Sequence, residues 1–414
     1  MSRQSPAVAT TAPTLIVVLG MHRSGTSVLT RAMETMGAEF GTSLLPPVAG
    51  DNEKGYFEDV DIYRINVEIM QAAGADWHTM APINLDAIDP QVLNELRVKA
   101  SATLRAKCEG KTFAVKDPRI SRLLPFWQPI FAGLPSRVVY AIAVRNPISV
   151  ASSLSKRSPF AEEKAYILWL AHVVPALDAT LGATRTIISY DALLDAPRAE
   201  LARVSSELGL QLNETGIEVF EREFLDGQLR HTRFGAQEVN LVRGAPRQLK
   251  VLFAALEASA CGHFLYDDPM LVSAIEDARA YLDDIAPLLR YEWRLSTTSD
   301  ELRAANGELD RKLESSGEAL RQVHERLESA AEDHRAMRSQ IDALHQTKSL
   351  LENRLADIHA EHVFLENRLA DLHAEHVALL SELAGSRQSL ADVFASTSWR
   401  LTSPLRSVKR LFRS

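Results

Sequence analysis

The apolar run Leu15–Leu19 stops at Gly20-Met21-His22-Arg23-Ser24-Gly25-Thr26-Ser27, and a helical stripe of Val28, Leu29, Ala32, Met33 and Met36 follows at once. A β-branched strand, a glycine-bounded turn and an amphipathic helix in that order belong to an α/β domain, where each helix lies back across a parallel sheet. The turn has a chemical consequence. Backbone N–H groups at the start of the helix and the positive end of its dipole converge there, which makes an anion site. The plainer reading of the same residues is a structural glycine turn.

The residues that follow repeat the pattern. Further strands are expected at Thr112–Val115, Val138–Val144 and Thr186–Tyr190, with helices between them. Asp89-Pro90 opens one helix that ends near Gly110. Asp195 is placed to cap another that has Pro197 in its first turn and Gly209 at its end. The fold class expected is α/β: a P-loop-type parallel sheet flanked by helices over residues 14–295, after a disordered tail over 1–13. With 46% hydrophobic and 24% charged residues the chain reads as globular, and a net charge of −8 gives no reason to expect nucleic acid. Its two cysteines, Cys108 and Cys261, are far apart and lack metal-ligand spacing, so neither a disulfide framework nor a structural metal is expected. The first residues do not form a signal pattern, and Leu15–Leu19 is far shorter than the ~20 residues of a membrane helix. A cytoplasmic protein is expected.

From residue 296 the composition turns to Glu, Arg, Ala and Leu. Apolar residues from Leu302 to Leu383 fall on two heptad positions in a single phase, as do His334, His362 and His376. This predicts a coiled coil over 296–385, on the order of 120 Å if continuous, that joins a second copy or a partner helix. Core histidines of this kind fix register or oligomer state, and a pH switch is the sharper alternative. Gly307 and Gly317 weaken the first part, which is expected to fray or bend. In the last segment, 386–414, Arg400, Arg406, Lys409, Arg410 and Arg413 alternate with Trp399, Leu401, Leu405, Val408, Leu411 and Phe412. That is a basic amphipathic helix, suited to the anionic inner face of a membrane or to docking on a protein.

Against the nucleotide pattern GxxxxGK[ST], the loop keeps both glycines and the final hydroxyl, with Thr26 in place of lysine. Reaching a γ-phosphate and organising Mg²⁺ become harder, so ATP or GTP hydrolysis is disfavoured. A 5′-phosphosulfate suits what remains, with Arg23 as the cation, because a guanidinium binds tetrahedral oxyanions bidentately. Other strand ends carry similar chemistry: Lys116-Asp117-Pro118-Arg119, then Arg145 with Ser153 in the following helix, then Tyr190-Asp191. In parallel sheets ligands bind beyond the carboxyl ends of the strands, so these groups are expected to meet at one edge.

Over residues 14–235 the chain resembles the sulfotransferases that use 3′-phosphoadenosine-5′-phosphosulfate, especially bacterial relatives of the carbohydrate and tyrosyl-protein enzymes. Arg23-Ser24-Gly25-Thr26 matches the end of their phosphosulfate loop, Arg145 and Ser153 match their 3′-phosphate pair, and Tyr190-Asp191 matches their aromatic-acidic strand end, with aspartate where glutamate is commoner. The resemblance implies that Gly20, Arg23, Ser24, Gly25, Thr26, Ser27, Arg145, Ser153 and Tyr190 hold the donor, with no metal. It also implies that a late basic segment, here Arg230, His231 and Arg233, closes over the 3′-phosphate.

Catalytic roles are expected for Arg23, Glu58, Lys116 and His22. Glu58 is the candidate base in the loop after the first helix, with Asp59 and Asp61 as alternatives. The other reading of these acids is a cap on a helix at Val60–Ala72. Lys116 is expected at the bridging oxygen or the acceptor, with Asp117 orienting it or Arg119. His22 either contacts sulfate or acceptor, or only packs. Trp77 and His78 either line a sugar subsite or belong to the core. By resemblance of the SWRLTSPLR tail to envelope-glycan enzymes, the acceptor expected is a hydroxyl of a surface polysaccharide or glycolipid. The alternatives are a P-loop small-molecule kinase or NTPase, and a non-catalytic coiled-coil scaffold.

Overall fold

The computed structural model describes residues 13–48, 55–158, 160–225, 234, 236–260, 262, 266–356 and 362–396. Residues 1–12 of the expected tail and 397–414 of the basic segment lie outside the described residues, as does Cys261. Four parallel strands, β1 (Thr14–Leu19), β2 (Phe113–Lys116), β3 (Arg137–Val144) and β4 (Arg185–Ser189), make one sheet in the order β2-β1-β3-β4. Val17 pairs with Val115 on one side and Tyr140 on the other. The chain therefore leaves β1 for β2 and then crosses to the opposite side for β3. That reversal opens the crevice in which ligands of such sheets sit, directly beyond β1.

Side chains alternate along β1 into two separate cores. Leu15, Val17 and Leu19 face one cluster, and Ile16 and Val18 face the other. The second cluster holds α1 (Thr26–Ala32), whose Val28 and Leu29 form the predicted stripe. The first holds α2 (Val60–Ala72), α3 (Pro90–Cys108) and α4 (Ile120–Ala132) through Ile62, Leu104 and Trp127. Asp59 caps α2 by accepting from the N–H groups of Asp61 and Ile62, and Asp89 caps α3 with Pro90 in its first turn. Next come α5 (Pro147–Arg157), capped by Asn146, and α6 (Glu162–Ala179), which buries Trp169.

Two local expectations need correction. Tyr190 is not the end of a strand: Ser189 Oγ accepts from the Ala192 N–H and starts α7 (Tyr190–Asp195) at Tyr190. Asp195 closes that helix and is not free to cap the next one. α8 (Pro197–Leu208) begins after Ala196 without a side-chain cap and ends at Gly209, as expected, in a left-handed conformation. The remaining described α-helices are α9 (Glu214–Val219), α10 (Ala236–Leu241), α11 (Arg247–Ala260), α12 (Pro269–Ala356) and α13 (His362–Ala395).

The chain divides into two compact units, Met1–Ser296 and Thr297–Ser414. α12 starts within the first, well before residue 296, because Leu271, Ile275 and Ala278 pack into the core. It stays helical through Gly307 and Gly317. In the second unit Leu302, Leu309, Leu313, Leu320, Leu344 and Leu379 are exposed along the heptad positions. No described helix is long and apolar enough to cross a membrane.

Candidate active site

The loop between β1 and α1 is shaped by close approach. At Gly20, with φ of 141°, a Cβ would come within 2.8 Å of the Ala143 carbonyl oxygen on β3. At Gly25, the residue before α1, φ is 83° and a Cβ would run into the Tyr190 ring. Only glycine fits either position. Two described non-glycine residues have left-handed backbones: Arg23 (φ 67°) within this loop, and Phe57 (φ 55°), which follows Tyr56, whose carbonyl accepts from Ser27 Oγ at 3.2 Å. Such conformations cost roughly 1–3 kcal/mol each and cluster where a site demands them.

Arg23 turns toward α5, where its Nε donates to Ser153 Oγ at 2.8 Å. Arg145, at the end of β3, donates from Nη1 to the Arg23 carbonyl at 3.0 Å, and its guanidinium lies 4.5 Å above the Tyr190 ring. The Trp169 indole N–H holds the Arg145 carbonyl at 3.1 Å. Loop, β3 end, α5 and β4 end thus meet in one place, although Arg23 and Ser153 are 130 residues apart. Arg145 is 9% exposed, and that burial lowers its pKa. Ser24 Oγ is buried in the same loop without a hydrogen-bond partner. An orphaned hydroxyl beside two arginines and a glycine cradle fits an oxyanion. Arg230, His231 and Arg233 lie outside the described residues; Phe234 just after them accepts from Asn146 Nδ2 at 2.7 Å.

On the other side of the loop is Lys116. Its Nζ donates to Glu58 Oε1 and to the Tyr56 carbonyl, both at 2.8 Å, and reaches Ser27 Oγ at 3.4 Å. The neighbouring strand therefore brings an ammonium to the loop that has no lysine of its own. Burial raises the Glu58 pKa, while the adjacent Lys116 and Arg119 act against that rise. Asp117 Oδ1 accepts from the backbone and Nη1 of Arg119 at 2.9 and 3.0 Å. Asp117 thus orients Arg119. The alternative bases have other work: Asp59 caps α2, and both Asp59 and Asp61 pair with Lys107 at 2.8 Å.

His22 is 9% exposed, with its ring edge-on to Trp77 at 4.9 Å and to His172 at 5.7 Å. Burial first, then the charge of Arg119, holds its pKa well below that of a free imidazole. His78 and Phe160 continue the aromatic wall, and Arg157 lies 4.6 Å over Trp77. Thr26 is buried under the loop.

Several residues of this neighbourhood carry no signal in the linear sequence. Asn66 on α2 bridges Asp117 Oδ2 and the Trp127 indole, and Ser121 Oγ accepts from the Gly20 N–H at 2.9 Å. His172 stands in the middle of an apolar helix. Arg122 offered a hint, since it lies one turn after Arg119 on α4.

No protein-family profile matches the chain. No curated protein matches it either. Among solved structures it is similar to the sulfotransferase domain from the Synechococcus PCC 7002 olefin synthase, over 67% of this chain and 98% of that one, at 16% identity and a TM-score of 0.33. At that TM-score the likeness decides nothing about this chain, whose fold is defined by its own parallel sheet and helices.

Proposed function

We propose that the protein is a sulfotransferase that moves the sulfuryl group of 3′-phosphoadenosine-5′-phosphosulfate to a hydroxyl of a carbohydrate acceptor, a surface polysaccharide or a glycolipid. The observation that carries this reading is the junction of Arg23 with Ser153 and of Arg145 with the Arg23 carbonyl and Tyr190. It sets two guanidinium groups on one loop, as a ligand with anionic groups at two positions requires. Arg23 and the loop would hold the 5′-phosphosulfate, and Arg145 with Ser153 the 3′-phosphate. The bound donor supplies an activated sulfuryl group. Lys116 would keep positive charge beside Ser27, and Glu58 would accept the proton of the acceptor hydroxyl. Such a transfer depends mainly on positioning and charge stabilisation.

A kinase reading loses support from the loop's missing lysine, and a scaffold reading leaves the strained Arg23 backbone without a purpose. The test is thermal unfolding with 3′-phosphoadenosine-5′-phosphate and with ADP. Ligands that bind only the folded chain raise its melting temperature. The product nucleotide should raise it far more than ADP does. Equal shifts, or none, would remove the donor assignment.

A further inference from the structure

Among the described residues, one cation near the loop, Arg122, has no carboxylate partner. Arg122 is 6% exposed; its Nη2 donates to the Ala81 carbonyl at 2.6 Å, and its Nη1 is buried without a partner. Among the described residues no carboxylate pairs with it: Glu58 is taken by Lys116, and Asp117 by Arg119. Burial alone acts on it and lowers its pKa to about 10. A charge buried this way costs several kcal/mol unless something anionic meets it.

Its neighbours are orphaned as well. His172 Nδ1 faces the Leu168 carbonyl at 2.7 Å, and a carbonyl only accepts, so Nδ1 carries the proton. His172 Nε2 therefore presents a lone pair, and it is buried without a partner. His22 Nε2 is buried and unpartnered too, on the ring that meets His172 edge-on. Arg122 on α4 and His172 on α6 lie on helices that pack against each other, and His172 meets His22 edge-on; the charges of Arg122 and Arg119 act against a proton on His172.

We propose that Arg122, His172 and His22 form an acceptor subsite that takes a carboxylate and a hydroxyl of the same ligand, so that the acceptor is an acidic sugar. The proposal rests on the sulfotransferase reading for the word acceptor, but the subsite itself does not. The unmet groups are a charged donor, Arg122 Nη1, and an imidazole lone pair on His172. A sulfate ion has no hydroxyl to give the lone pair, and a neutral hexose has no anion for the guanidinium. A uronic acid carries both groups on one ring. Trp77, against His22 at 4.9 Å, supplies an aromatic face beside them.

The test is calorimetric titration of the full chain, without donor, using D-glucuronate, D-glucose and inorganic sulfate. Charge-assisted hydrogen bonds contribute about 1.5–3 kcal/mol, so glucuronate should bind at least about tenfold tighter than glucose. Glucose binding as tightly as glucuronate overturns the proposal. Sulfate matching glucuronate also overturns it, because the cation would then belong to the donor's sulfate. Arg122→Met should lose the preference for glucuronate and keep the shift with 3′-phosphoadenosine-5′-phosphate. It should also melt higher without ligand, since an uncompensated charge has been removed. A lower melting temperature would make Arg122 a structural residue and overturn the assignment. If Arg122→Met does not fold, the comparison of sugars on the unaltered chain decides alone. Glucuronate binding without nucleotide binding keeps the subsite and removes the donor reading; the reverse result does the opposite.

Discussion

The two sides of the loop hold their cations differently. Toward β3 and β4, Arg23 bonds a serine hydroxyl, and Arg145 bonds a carbonyl and covers a tyrosine ring. Toward β2, Lys116 is locked to Glu58 and Arg119 to Asp117. Bonds to a hydroxyl and a carbonyl orient these two guanidinium groups against the loop. A cation paired with a buried carboxylate is fixed by it in one position. The contrast is between cations bonded to buried carboxylates and cations whose bonds reach across the loop to a hydroxyl and a carbonyl.

The contrast breaks most sharply at the Lys116–Glu58 pair, whose side chains are 2% and 6% exposed. Replacing Glu58 by alanine leaves a buried ammonium without its partner, which costs about 3–5 kcal/mol. Chemical denaturation should show that loss, and Glu58→Gln, which keeps a hydrogen-bond acceptor, should recover much of it. Turnover should nevertheless stay low in Glu58→Gln if Glu58 takes the acceptor proton. A fully active Glu58→Gln variant would leave the pair with a structural role and nothing more.

On the other side the expected loss is catalytic. Arg23→Ala removes the cation nearest the loop's centre, and by analogy with the loss of one oxyanion donor turnover should fall about 10²–10³-fold. Alanine still faces the left-handed backbone at φ of 67°, so Arg23→Gly should be the more stable of the two variants. Single-turnover assays with labelled donor would measure the chemical step. Full rate in Arg23→Ala would place the sulfuryl group elsewhere.

How far the sequence discloses this contrast depends on the range of the interactions. β1, the loop and α1 are local: strand alternation, the glycines and the helical stripe lie within a few turns of chain, and the fold follows from them. Arg145 and Lys116 were visible because each sits at a strand end, where sheet geometry directs ligand chemistry. The neutralisation of Lys116 by Glu58 was hidden, since it joins residues 58 apart across α2 and β2. The lone imidazole of His172 was hidden too, inside a helix that reads as pure core. Tyr190 slipped from strand to helix because a serine cap one residue earlier outweighed its β propensity.

Arg145 tests the β3 side more finely. Arg145→Ala should weaken 3′-phosphoadenosine-5′-phosphate by about 10- to 100-fold, the equivalent of one charge-assisted contact at about 1.5–3 kcal/mol. ADP, which lacks the 3′-phosphate, should bind as before. Titration calorimetry with both nucleotides reads the difference. Equal weakening of the two would mean that Arg145 only props the Arg23 carbonyl.

The smallest effect concerns the buried imidazole of His172 on α6. His172 is fully buried, and burial, with the Arg122 charge behind it, lowers its pKa from 6.5 to about 3. In the unfolded chain the ring takes up its proton at the ordinary pKa, so acid favours unfolding. The contribution of His172 is fully present above about pH 6.5 and is lost as pH falls toward the folded value. Between pH 7 and pH 5 that loss amounts to about 2 kcal/mol. His22 shifts in the same direction and adds to the slope. His172→Gln cannot take up that proton, so its melting temperature should fall less between pH 7 and pH 5 than that of the unaltered chain. Parallel slopes would show that the ring keeps an ordinary pKa. In that case protonated His172 would sit unopposed beside Arg122, and the cations of this neighbourhood would need a carboxylate that the described residues do not supply.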